Sequence, residues 1–215
     1  QDICSLMGIS DKLGTLNYDR FQQWQQPFTP DNAKQALLAF SGDVYTGLEA
    51  ETFKADDYRY AQKHLRILSG LYGVLRPMDL IQPYRLEMGV RFANETGNNL
   101  YAFWGDRITE ALNKQLKSLK SEYLVNLASI EYFKAVKPKQ LDAKLLTPVF
   151  KDLKGDKYKV ISFFAKKARG QMAAWILKNK IEDHAGLKTF KGGGYRYNKS
   201  LSSDKECVFT REEAQ

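Results

Sequence analysis

The 22 residues from Leu68 to Gly89, LSGLYGVLRPMDLIQPYRLEMG, rule out more structure than any other stretch of this chain. Gly70, Gly73, Pro77 and Pro83 all fall within it. Glycine inside a helix or strand costs about 0.5–1 kcal/mol relative to alanine, and proline removes a backbone donor while fixing φ. Neither a long helix nor a central strand can cross such a segment, so the sequence predicts a corner. A helix ending at Gly70, a tight glycine hairpin and a second helix beginning near Val74 would give a helix-hairpin-helix outline. The amides of Gly70, Leu71, Tyr72 and Gly73 would then be open to a phosphate, with Lys63, Arg66 and Arg76 close in sequence to supply charge. The nucleic-acid form of this hairpin has its glycines two apart, and here they are three apart. A plain corner between apolar residues is therefore the competing explanation.

Around this corner the pattern alternates between helix and strand without a strict βαβ rhythm, which predicts one mixed α+β domain over residues 1–215. Ser10 and Asp11 suit a helix start, and Asp56 and Asp57 open DDYRYAQKHLRILSG as a helix. YRLEMGVRF (84–92) alternates like a strand, and NETGNN is a turn. LYAFWGDRITEALNKQLKSL reads as one long amphipathic helix. EYLVNLAS is a buried strand, IEYFKAV a helix stopped by Pro138, and LLTPVFKDL-KGDK-YKVISFF a hairpin. Ala165 to Ile181 is helical again, and the end of the chain holds the GGG loop at 192–194 and a CVF strand. KQALLAFSGDVYTGL mixes helix and strand signals. The opening QDICSLMGISDKL has the look of a helix already under way, so the domain is expected to be incomplete at its N-terminus.

The fraction of hydrophobic residues, 43%, is ample for a core. No apolar run approaches the ~20 residues that span a bilayer, so no membrane role is expected. The two cysteines, Cys4 and Cys207, lie at opposite ends, which favours a reducing cytoplasm over a disulfide scaffold. His64 and His184 have no second ligand at metal spacing, so neither a metal nor a cofactor is expected. Net charge is +8, but it is unevenly spread: residues 101–200 hold 21 Lys+Arg against 9 Asp+Glu, whereas residues 1–100 hold 10 against 12. A basic half suits a polyanion, although a solvated lysine surface would look the same.

Three further places carry candidate chemistry. Arg85 and Glu87 fall on one side of the predicted 84–92 strand, as an ion pair or one wall of a polar cleft, with Asp79 nearby. Asn126 and Glu131, with Ser129, leave a buried strand for a helix, and Lys134 follows one turn on. Ser129 and Glu131 serve equally as a cap and its first-turn acid. Lys166, Lys167 and Arg169 crowd a predicted helix start, where cations oppose the dipole and an anion would relieve them.

Taken together, GISDKL, FTPDNAKQALLAFSGDVYTGLEA, LRILSGLYGVLRPMDLIQPYRLEMG, FWGDRITE, NLASIEYFKAVKPKQL and ISFFAKKARGQM resemble the bacterial YaaA family of peroxide-stress proteins, from Leu6 to Phe209. Family members begin with a strand carrying a Ser-Pro-Ala-Lys-Thr motif, which these residues do not include. The resemblance implies a cytoplasmic protein that limits oxidative damage and is associated with lower free iron. It also implies a family-specific α+β fold, a mostly antiparallel or mixed sheet with surrounding helices. A basic cleft and a helix-hairpin-helix element around Leu68 to Pro77 would bind duplex or branched DNA at its phosphates. The alternative is an enzyme acting on a nucleotide or nucleobase-like small molecule in the same cleft, with Asp79, Arg85, Glu87, Asn126, Glu131 and Lys134 as its polar set; the same cations could hold a small phosphate-bearing ligand.

Overall fold

A computed structural model of the chain describes residues 2–212. It opens with α1 (Ile3–Met7), capped by the Asp2 carboxylate on the Ser5 amide at 3.0 Å. Next comes α2 (Asp11–Gln23), where the Ser10 hydroxyl makes no capping bond and the favourable first-turn group is Asp11. The segment with mixed signals becomes β1 (Lys34–Gln35), α3 (Ala36–Ala39) and α4 (Asp43–Leu48). α5 (Ala55–His64) opens at its aspartates as predicted and is followed by β2 (Ile67–Ser69), β3 (Gly73–Leu75) and β4 (Leu80–Ile81). The predicted long helix is two, α6 (Leu100–Trp104) and α7 (Arg107–Leu119), because Gly105 between them takes φ 51. β5 (Tyr123–Val125), α8 (Ile130–Phe133), β6 (Lys144–Lys154), β7 (Lys157–Lys159), α9 (Ser162–Asn179), α10 (His184–Leu187), β8 (Arg196–Tyr197) and β9 (Glu206–Arg211) complete an α+β chain.

Backbone contacts gather these elements into two compact units. Unit 1 takes the chain up to Ala39, Leu65–Ala111 and Ser129–Lys137; unit 2 takes Phe40–His64, Leu112–Ala128 and the chain from Pro138 onward.

In unit 2 a mixed sheet runs in the order β5-β6-β9-β8, with β7 also paired to β6. β5 and β9 are parallel to β6, while β7 and β8 pair antiparallel with β6 and β9. The 11 residues of β6 alternate between buried and partly exposed positions along most of their length, as a strand with one covered face should. That face meets α9. Ala165, Ala168 and Met172 pack with Leu146, Phe150, Phe190, Tyr195 and Phe209. Each fully buried phenylalanine contributes about 1.5–3 kcal/mol of apolar burial. α4 lies against α9 through glycines: a Cβ on Gly170 would sit 1.8 Å from the Val44 carbonyl oxygen, and one on Gly47 would sit 2.1 Å from that of Lys167.

Unit 1 corrects the sequence reading at its most distinctive stretch. Leu68 to Pro77 does not form a helix-hairpin-helix. β2 and β3 pair antiparallel, Ile67 opposite Leu75 and Ser69 opposite Gly73, around a three-residue turn closed by Gly73 at φ 72. The Ser69 hydroxyl accepts the Tyr72 amide at 2.9 Å inside that turn. The glycines are needed by residues distant in sequence. A Cβ on Gly73 would meet the Trp104 ring at 2.7 Å, and one on Gly70 would meet the Leu86 carbonyl oxygen at 2.3 Å. The Trp104 indole donates to the Gly70 carbonyl at 3.0 Å. The predicted strand at 84–92 is also absent. Burial does alternate, with Arg85, Glu87 and Gly89 outward and Met88 buried, but no ladder forms and the chain turns where the Val90 amide reaches the Glu87 carbonyl at 3.3 Å.

Candidate functional site

Unit 1 draws together several of the residues singled out from sequence. Glu87 accepts a hydrogen bond from the Tyr132 hydroxyl at 2.7 Å, and Arg85 reaches its other oxygen at 3.9 Å. Burial, then the hydrogen bond to Glu87, holds the Tyr132 phenol well above its ordinary range. Tyr84 and Ser69 share a 2.6 Å hydrogen bond, and burial pushes Tyr84 up to about 12. Both phenols stay protonated at neutral pH; Tyr132 donates to Glu87, and in the Ser69–Tyr84 pair either hydroxyl can be the donor. Glu131 accepts the Gly89 amide at 2.8 Å, an approach that a Cβ at Gly89 would crowd. The Tyr101 hydroxyl donates to the Glu131 backbone carbonyl at 2.9 Å, and the Lys134 ammonium sits 5.0 Å from the Tyr101 ring centroid. α8 begins with the Ser129 hydroxyl accepting the Tyr132 amide at 3.3 Å, so Ser129 is a cap and Tyr132 is placed by it.

Other predicted positions serve the fold. Asp79 grips the Arg76 amide at 2.8 Å and its guanidinium at 2.9 Å, so these two neutralise each other around a turn. The Arg66 guanidinium donates to its neighbour, the Leu65 carbonyl, at 2.6 Å, and burial lowers its pKa. In unit 2 the Asn126 side chain accepts the Ala128 amide at 3.0 Å and shapes the exit from β5.

Unit 2 holds the excess of cations. It carries 23 Lys+Arg against 15 Asp+Glu, whereas unit 1 has ten of each. α9 begins at Ser162, three residues earlier than predicted, so Lys166, Lys167 and Arg169 lie beyond its first turn. The dipole penalty expected from the sequence fades over that distance. The first-turn amides themselves have no side-chain cap, because the capping position is Ile161. Lys166 and Lys167 are exposed, with Lys166 3.9 Å from Asp43. Arg169 turns back to the Ala165 carbonyl at 3.3 Å, and its burial lowers its pKa. Lys63 lines an open depression with Asp56, Arg59, Tyr60, His64 and Lys180. Cys207 is buried against the His184 imidazole at 3.2 Å, and burial raises the thiol pKa, which suppresses its reactivity. Among the described residues no three His, Cys, Asp or Glu side chains gather as a metal would require, and no helix is long and apolar enough to cross a membrane.

A family model described as peroxide stress protein YaaA matches residues 1–201. The chain belongs to the YaaA family. Relatives described as UPF0246 proteins include those of Teredinibacter turnerae and Saccharophagus degradans, each 63% identical over 213 residues, and that of Cellvibrio japonicus at 59%. Each alignment covers 99% of this chain and 83% of the relative. YaaA membership gives the chain a general role in oxidative stress and, with these relatives, a bacterial setting.

The sequence missed part of the unit 1 constellation. Ser69 and Tyr84 sit among glycines and prolines that signal turns rather than chemistry, and Tyr101 comes from a helix beginning 11 residues beyond Gly89.

Proposed function

We propose that this YaaA-family chain carries out its oxidative-stress role in the cytoplasm by covering DNA, duplex or branched, held at the phosphates by the cationic surface of unit 2. The observation that carries this reading is the segregation of charge: the whole excess of +8 belongs to unit 2, and unit 1 is balanced. Lys166 and Lys167 are exposed on α9 one turn beyond its start, which has no side-chain cap, and offer phosphate oxygens two point charges. Recognition is by backbone and shape, because these contacts carry no base readout. Lower free iron is an indirect accompaniment on this reading.

Anisotropy titrations of a labelled duplex against salt test the proposal. Each phosphate contact adds about −0.9 to the slope of log affinity against log salt. Lys166→Glu/Lys167→Glu should weaken binding and flatten the slope by about two contacts' worth. An affinity that does not change with salt would sink the phosphate mechanism.

The Tyr132–Glu87 pair with Tyr84 supports a second reading, an enzyme on a nucleotide-like molecule. Half-buried phenols kept protonated beside an exposed carboxylate make a hydrogen-bonding set that can orient a polar small molecule. Thermal-shift screening with nucleotides separates the two readings. A stabilisation abolished by Glu87→Gln but not by the lysine variants would favour catalysis.

A further inference from the structure

The segment KYKVISFFAKK, residues 157–167, sets four exposed lysines around two unusually exposed apolar side chains, Val160 at 57% and Phe163 at 56%. Lys157 and Lys159 share one side of β7, and Tyr158 between them turns to Glu212 at 3.0 Å. Lys166 and Lys167 lie one turn beyond Phe163 on α9. The bordering carboxylates are Asp43, facing Lys166, together with Asp156 and Glu212.

Phe163 stands on a braced support. Its ring meets Phe164 edge-on, with centroids 5.6 Å apart, and the Arg211 guanidinium lies 4.5 Å from the Phe164 centroid. Arg211 is ion-paired to Asp152, which is only 3% exposed and also accepts the Tyr195 hydroxyl at 2.8 Å. An apolar ring held outward on so rigid a base, between cations, suits a polyanion that also offers planar apolar groups. Nucleic acid combines both properties.

We infer that Phe163 is a base-stacking wedge. An unpaired or unstacked nucleobase lies on its ring while Lys157, Lys159, Lys166 and Lys167 hold the adjoining phosphates. This rests on the phosphate-binding reading and adds to it a preference for DNA whose stacking is already broken.

The test compares the full chain with Phe163→Ala and Phe163→Trp, using a labelled duplex, the same duplex with a short bulge, and anionic lipid vesicles. The wild-type chain should bind the bulged duplex about tenfold more tightly than the perfect one, the scale of one base–aromatic stack. Phe163→Ala should remove that preference while leaving duplex affinity and salt slope intact. Phe163→Trp should keep the preference, with indole fluorescence quenched by the bulged DNA. Because the side chain is exposed, both variants should melt as wild type does. A bulge preference that persists in Phe163→Ala, or that wild type lacks, overturns the stacking role and leaves the lysine grip standing. Vesicle binding that depends on Phe163, without any nucleic-acid difference, assigns the ring to lipid and overturns it too. Failure of wild type to bind any DNA at low salt overturns both readings.

Discussion

Trp104 shows why single residues in the glycine corner could not be interpreted from their neighbours. Gly70 and Gly73 are explained by a ring 31 residues beyond Gly73 and by the Leu86 carbonyl, contacts that no local spacing reveals. Gly73→Ala combines a disfavoured φ of 72 with a ring 2.7 Å away, and should lower stability by about 2 kcal/mol or more in urea titrations. Tyr84 leads to an alkaline prediction. Its folded pKa of about 12 lies above the ordinary 10.0, so its share of stability is intact below pH 10.0 and drains away as pH climbs toward 12. The loss amounts to at most about 2–3 kcal/mol, and Tyr84→Phe should flatten that limb of a pH–melting profile. Asp152 is buried and joined to both Tyr195 and Arg211; Asp152→Ala removes the carboxylate from a guanidinium whose side chain is only 15% exposed and should cost about 3 kcal/mol.

At the scale of elements, strong local signals succeeded and interrupted ones did not. The aspartate-led start of α5, the turn between β6 and β7 and the Ser129-capped start of α8 follow from capping and periodicity and are present. However, α5 stops at His64 rather than Gly70, and the second hairpin strand covers only Lys157–Lys159 because Ser162 already belongs to α9. The helix-hairpin-helix failed because Ile67–Leu68 and Val74–Leu75 have two alternative partners, a helix face or each other across a turn. Ladder pairing and the Ser69 hydroxyl settle the choice. The sequence reading starts α9 three residues late because its capping position is Ile161, and Ser162, the residue that would signal a cap, sits one place inside the helix. The α4–α9 contact was invisible in sequence, since Gly47 and Gly170 are 123 residues apart. Gly170→Ala forces its methyl into the Val44 carbonyl and should cost about 1–3 kcal/mol, whereas alanine at Gly155, with open space but φ 66, should cost less. Parallel chemical denaturation of the two variants checks that order.

For the whole molecule, the basic character of the second half was legible as a count but not as an arrangement. Sequence order assigned +12 to residues 101–200, yet Arg107, Lys134 and Lys137 from that span belong to the balanced unit 1. Chain segments alternate between the units, so charge along the sequence is not charge in space. The carboxylates Glu87 and Glu131, which a DNA surface would avoid, fall in the balanced unit together with Arg85 and Lys134. That segregation should leave a chemical signature. If a polyanion seats on unit 2 alone, acylating reagents followed by mass spectrometry should find Lys157, Lys166 and Lys167 shielded in its presence. Lys12, Lys34 and Lys134 should meanwhile go on reacting as they do in the unbound protein.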